Sequence, residues 1–166
     1  MKKPSARKTP KPPKAGRPDI PDYGISKSKK GLLPWKWAEQ RLRKSHEYYI
    51  ATVRPNGSPH VMVIWGLWLE DGFYFSTGKN SRKARNLAQN PHCVVCSANP
   101  AEAVIVEGEV EIVNANNLAG IYAAYKKKYG MDISGMNEPI YRVRPQRAFG
   151  LIEKKFAGTA TRWNFF

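Results

Sequence analysis

The sequence predicts a mainly β domain with flanking helices, folded as a closed or nearly closed antiparallel barrel. Three observations carry that expectation. Short segments rich in aromatic and β-branched residues recur from Tyr48 to Ile152. Turn signals, Pro55-Asn56-Gly57 and Glu70-Asp71-Gly72, join neighbouring segments as hairpins. Two or three stretches with helical spacing flank them. With 166 residues, 42% hydrophobic and 11% aromatic, the chain is one domain with an extension and can bury a real core.

The extension comes first. Residues 1–30 hold ten Lys or Arg against Asp19 and Asp22, a net of +8 out of +15 for the whole chain. Lys and Pro dominate and apolar residues are scarce, so residues 1–30 are expected to be a disordered basic tail, with the domain at 31–166 and residues 1–22 dispensable for folding. The tail lacks the apolar centre of a secretory signal and the amphipathic pattern of a transit peptide. It could serve as a polyanion-binding arm, making this a nucleic-acid-associated protein. A solubilising tail is preferred, because no aromatic residues interleave the charges.

Pro34 opens a helix, PWKWAEQRLRKS, with Trp35, Ala38 and Leu42 near helical spacing. A strand at Tyr48–Val53 follows. The returning strand, His60–Leu69, is apolar on both faces, so it is expected at a central position covered on both sides. It also contains the longest apolar run, Val61 to Leu69, well short of the roughly 20 residues needed to span a bilayer. Phe73–Ser76 is the next strand, and a helix runs from Ser81 to Asn90-Pro91. Strands are then expected at Val94–Ser97 and Val104–Val113. Ala115 to Tyr129 forms a helix with Leu118, Ile121, Tyr122 and Tyr125 as its apolar stripe and Gly130 as its C′ residue. A strand within Ile140–Ile152 precedes the tail AGTATRWNFF. Two cysteines argue against a disulfide scaffold, and the chain reads as cytoplasmic.

The helix after Phe73–Ser76 carries the chemical signal. Arg82 and Lys83 occupy its first turn, where cations oppose the macrodipole. A bound anion is one physical reason for placing them there; a solvated basic helix end is the plain alternative. Ser81 is the N-cap candidate. Backbone N–H groups, a hydroxyl, a guanidinium and an ammonium would then converge on a volume that suits a phosphate.

Other chemistries find less support. Cys93 and Cys96, at i and i+3 of a strand, point to opposite faces and cannot chelate one metal. His92, His46 and His60 do not complete a four-ligand set, so no metal site is expected. A hydrolase needs a nucleophile, a base and an orienting carboxylate, and no such motif stands around Ser76, Thr77 or Ser81. Glu107, Glu109 and Glu111 share one strand face and read as the barrel's wet side. A redox cofactor that brings its own chemistry remains.

Four segments in order, ATVRPNGSPHV, YFSTGKNSRKARNLAQNP, VIVEGEVEIV and ATRWNF, resemble the flavin-binding split-barrel superfamily that includes pyridoxamine 5′-phosphate oxidase and FMN- or deazaflavin-dependent reductases. The resemblance covers about Leu32 to Phe166. It implies an antiparallel split β-barrel, a homodimer with cofactor at the two-fold interface, and FMN or the deazaflavin coenzyme F-420 as cofactor. The ribityl phosphate would lie on Ser81, Arg82 and Lys83. The resemblance aligns Met62 to Leu67 with the flavin-contacting strand and Ser76 with Thr77 as the next contact pair. On the residues themselves, the strand edge His60, Val61, Met62, Val63, Ile64 and Trp65 would meet the ring system. Arg162 and Trp163 either close the site from the C-terminus or are a surface arginine and a core tryptophan. The oxidase proper carries Arg at the position of Met62, Lys at that of Leu67 and a flavin-contacting Gln at that of Ala103, so the substrate is expected to differ. The expected function is hydride transfer to or from an unidentified small molecule, with no catalytic residue identified. A non-catalytic flavin or haem storage protein and the nucleic-acid reading are the alternatives.

Overall fold

The computed structural model describes residues 12–69, 72–114 and 118–166. In chain order the elements are β1 Lys14–Gly16, α1 Trp35–Lys44, β2 Glu47–Val53, β3 Pro59–Trp65, β4 Leu67–Leu69 and β5 Gly72–Ser76. Then come α2 Arg82–Gln89, β6 His92–Ser97, β7 Glu102–Ile112, α3 Ala119–Tyr129, β8 Ile140–Ile152, α4 Phe156–Thr159 and β9 Thr161–Asn164. Every recorded strand pairing is antiparallel.

β8 is the pillar of the sheet. At 13 residues it is long enough to serve three neighbours. Ile140–Val143 pairs with β5 and Arg147–Gly150 with β9, while β7 runs along its other side. The path continues through β6 and β2 to β3. β3 then lies beside β5, but no ladder joins them. That seam is the split in the barrel.

The barrel is filled by fully buried Tyr48, Ile50, Phe73, Phe75, Val95, Val104, Val106, Val143 and Trp163. Burying each such side chain stabilises by about 1.5–3 kcal/mol. α1 starts at Pro34, as expected, and closes one end with Ala38 and Leu42. α3 buries Ile121 and Tyr125 against Leu67, Tyr74, Ile133 and Ile140, with Leu118 and Tyr122 half-buried alongside. Gly130 ends it at φ 71°, a left-handed conformation that glycine adopts without strain. Glu70, Asp71 and the expected start of this helix, 115–117, fall outside the described residues.

Three expectations are corrected. The strand read as His60–Leu69 breaks at Gly66, where a Cβ would lie 2.2 Å from the Phe73 ring. Its first part, β3, is not covered on both sides. It ends the strand path, and Val61, Met62, Val63 and Trp65 are 55, 46, 53 and 39% exposed. An apolar run does not by itself distinguish a strand covered on both sides from one with an open face.

The second correction concerns residues 12–30, which composition assigned to a disordered tail. β1 pairs with β9, Lys14 opposite Asn164 and Gly16 opposite Arg162. Arg17 donates to four carbonyls, Ser28 O, Gly158 O, Ala160 O and Lys30 O, at 2.7–3.0 Å. Backbone pairing and one guanidinium hold this segment where apolar content does not. The expected dispensability of 1–22 therefore fails for the part holding β1 and Arg17, while residues 1–11 fall outside the described residues. Third, the closing segment forms α4 and β9 instead of a tail.

Candidate functional site

α2 begins with a capped turn. Ser81 has extended backbone (φ −67°, ψ 156°), and its Oγ accepts from the Ala84 N–H at 3.2 Å, as an N-cap should. Thr77 Oγ1 lies 3.3 Å from Ser81 Oγ. The loop between them is pinned by Lys79 N–H donating to Glu138 Oε2 at 2.8 Å. Ser76 Oγ instead donates to Pro139 O at 3.2 Å.

The electrostatics of this turn are one-sided. Arg82 is exposed, and Lys83 is half-buried, its ammonium held below the usual range by that burial. Arg54 approaches from the β2–β3 hairpin. Burial first, then the charges of Arg54, Lys83 and Arg82, hold the His60 imidazole below its ordinary range. Among the described residues none of Arg54, Arg82 and Lys83 joins an ion pair.

β7 and β8 show the opposite pattern. Glu107 pairs with Arg147 at 3.3 Å, and Glu111 with Arg142 at 3.1 Å and Arg144 at 3.6 Å. Glu109 accepts from Gln146 at 2.8 Å. The expected wet face is a ladder of matched charges. Unpaired cations are common in a chain with 28 Lys and Arg against 13 Asp and Glu; what distinguishes Arg82 and Lys83 is their place at a capped helix start, which suits an anion.

β3 runs from this cradle toward α3. His60, Met62 and Ile64 share one face by strand alternation, and Ile64 is buried in the core. Val61, Val63 and Trp65 share the open face. Trp65 stacks on Tyr129 at 4.8 Å with planes 4° apart. The expected strand, hydroxyl and cation residues are thus linked through consecutive elements.

Arg162 and Trp163 are placed elsewhere. Trp163 is fully buried and packs edge-on against Trp35 at 5.4 Å. It is a core tryptophan with no face left for a ligand. Arg162 stands beside it on β9, half-buried. Among the described residues no hydrogen bond, ion pair or ring contact links either to Arg82 or Lys83. Cys93 is buried and Cys96 half-buried on the other face of β6, as alternation requires, and burial pushes the Cys93 thiol up to about 12.

Sequence reasoning missed several residues. Arg54 follows the last residue of β2, where hairpin register could have placed it near His60. Thr52 and Asn86 are buried polar residues on apolar faces, a mismatch visible in the pattern. Lys128 reads from the sequence only as one of three lysines suiting the C-terminal end of a helix. Its Nζ donates to Tyr48 Oη at 2.8 Å and Gly66 O at 2.9 Å, and burial pushes its ammonium down to about 8. Tyr129 Oη accepts from Gly66 N–H at 2.9 Å. Together they fix the break between β3 and β4.

Fold and site define a split-barrel protein with a cationic cradle at a helix start. A family profile described as pyridoxamine 5′-phosphate oxidase matches residues 36–161, and the chain belongs to that family. A curated pyridoxine/pyridoxamine 5′-phosphate oxidase of Pseudomonas paraeruginosa is 32% identical over 117 residues, 69% of this chain and 53% of its own length. The chain spans about half the length of the curated relatives it matches. A solved F420 reductase superposes with a TM-score of 0.56 at 27% identity, over 66% of this chain and 94% of its own. The haem-storage protein HutZ of Vibrio cholerae superposes at 0.56 with 18% identity, over 67% and 87%, a likeness of fold alone.

Proposed function

We propose that this chain is an oxidoreductase that binds FMN, or the deazaflavin coenzyme F-420, and transfers a hydride to or from a small molecule. The observation that carries the reading is the set of unmatched cations at the capped start of α2, beside an uncovered apolar strand. Arg82, Lys83 and the Ser81 hydroxyl would hold a phosphate there. Met62 and the backbone of β3 would border the ring, with Thr77 close to the phosphate end. When bound, such a cofactor supplies the hydride chemistry itself. The chain's own part is to hold the phosphate, orient the ring and keep water from one face of it.

The uncovered face of β3 supports a homodimer in which a second copy covers Val61, Val63 and Trp65 and completes the site. Arg162 then has a role only if it reaches the partner's cofactor. Among the described residues no helix is long and apolar enough to cross a membrane.

A substrate other than phosphorylated pyridoxamine is favoured. Leu67 is buried in the second core cluster, and Met62 carries no charge, so neither position presents a cation to a phosphorylated substrate.

Mass spectrometry of ligand carried by the purified protein, followed by titration with FMN and with F-420, tests the reading. Binding of one of them, with oxidation of the reduced cofactor by a small acceptor, supports it. Binding without turnover makes this a flavin carrier. Binding of haem alone, or of nucleic acid alone, overturns it.

A further inference from the structure

His60 is joined to α2 by buried polar groups. Asn86, almost fully buried on the inner face of α2, donates from Nδ2 to Thr52 Oγ1 at 3.0 Å. Thr52 Oγ1 in turn lies 3.4 Å from both His60 O and His60 Nδ1. Asn86 Oδ1 is buried with no partner among the described residues. With Nδ1 turned toward Thr52, Nε2 is the ring nitrogen left for a ligand.

We propose that His60 is a proton-dependent ligand of the anion site, so that a phosphate monoester bound at the start of α2 brings a proton onto its imidazole. The proposal rests on the anion-site reading above and adds a regulation to it. The charges acting on His60 from the chain itself are Arg54 from the hairpin and Lys83 and Arg82 from α2, with Thr52 the polar group facing it from β2. No carboxylate is among them. A dianion placed among these groups reverses the sign of the field at the ring and favours the imidazolium. Protonation and anion binding are then reciprocal: each strengthens the other. A phosphate monoester, with its second ionisation near pH 6, is a dianion at neutral pH. The site therefore favours a monoester over a singly charged diester and binds it more tightly as falling pH protonates the imidazole, while the monoester remains a dianion.

The test is an NMR titration of the three histidine rings, with His60 assigned from His60→Gln, in chloride and in inorganic phosphate at equal ionic strength. The His60 midpoint should rise in phosphate by about one pH unit, equivalent to about tenfold in affinity, while His46 and His92 stay put. Calorimetry of FMN binding at pH 7 in two buffers of different ionisation enthalpy should show proton uptake by the natural chain and none by His60→Gln. Arg54→Ala should raise the His60 midpoint in chloride.

An unmoved His60, or equal proton uptake by His60→Gln, overturns the inference even if FMN binds. If neither FMN nor F-420 binds while phosphate still raises His60, the cofactor reading falls and the inference stands. If neither binds, both fall.

Discussion

At one end of the strand path, β1 presents Lys14, Ala15 and Gly16, entered through Pro12 and Pro13; at the other, β3 presents Val61, Met62, Val63 and Trp65 to open space. Lysine and proline are the residues that blunt a sheet edge against pairing with another chain. The β1 end is finished inside the chain: Arg17 takes up the carbonyls of Ser28, Lys30, Gly158 in α4 and Ala160 just before β9, and Trp163 is sealed beneath. The β3 end is not finished. Its core-facing side is anchored by Ile64, yet on its outer side the ring contacts among the described residues are those of Tyr129 and His46, both against Trp65. One end is closed within the chain and the other is left open, and the cationic start of α2 lies at the second. Substitutions at the two ends should therefore fail in different ways.

The largest effect is expected at the closed end. Trp163→Ala removes a fully buried indole and should cost about 3–5 kcal/mol of stability in urea unfolding. A loss under about 1 kcal/mol would mean that β9 is not part of the core.

At the open end, Val63→Lys should leave monomer stability within about 0.5 kcal/mol, since the side chain is exposed. It should weaken self-association about 100-fold in sedimentation equilibrium, because a buried, unpaired ammonium is costly. A natural chain that stays monomeric at micromolar concentration removes the basis for a covered β3.

Arg17→Ala sharpens the contrast at smaller amplitude. Four carbonyls lose a charged donor, and the loss should be about 1–3 kcal/mol in thermal or urea unfolding. Oligomeric state should not change.

The smallest effect concerns Lys128, which holds Gly66 at the end of β3. Its folded-state value of about 8 lies below the unfolded 10.5, so the unfolded chain binds more protons between them. Its contribution therefore makes stability rise with pH across that window. Cys93 and the tyrosines act oppositely: their folded values are raised, so stability falls once their unfolded forms ionise above about pH 9–10. The difference between natural chain and Lys128→Met isolates the lysine. That difference should grow in favour of the natural chain from pH 8 to 10.5, and a flat difference would show that Lys128 is not desolvated.

Much of the fold could be read from the residues. β2, β5, β6, β7 and β8 carry strand composition with turn signals between them, and α2 carries a cap, a first turn and a proline stop. The capped, cationic start of α2 at Ser81, Arg82 and Lys83 was legible because a hydroxyl precedes cations that contradict the dipole at a helix start. β1 was not, since Lys-Ala-Gly has no apolar signal and is held by backbone pairing and a distant arginine. Trp163 was ambiguous because an aromatic near a terminus fits a core or a site equally well. The coverage of β3 was misread because alternation vanishes when both faces are apolar. The Asn86–Thr52–His60 chain joins residues 34 and 8 apart, and such side-chain bonds leave no periodic trace.

The central claim is that the open end holds a phosphate-bearing cofactor on α2, and Arg82→Ala tests it most directly. FMN and riboflavin would be titrated against the natural chain and the variant. Loss of the guanidinium should weaken FMN binding by about one to a few kcal/mol, or about 10- to 100-fold. Riboflavin, which lacks the phosphate, should bind poorly to both and distinguish them little. The helix should survive, because removing a cation from its first turn relieves an unfavourable contact with the dipole. FMN binding unchanged in Arg82→Ala would contradict the account and leave α2 as a basic surface.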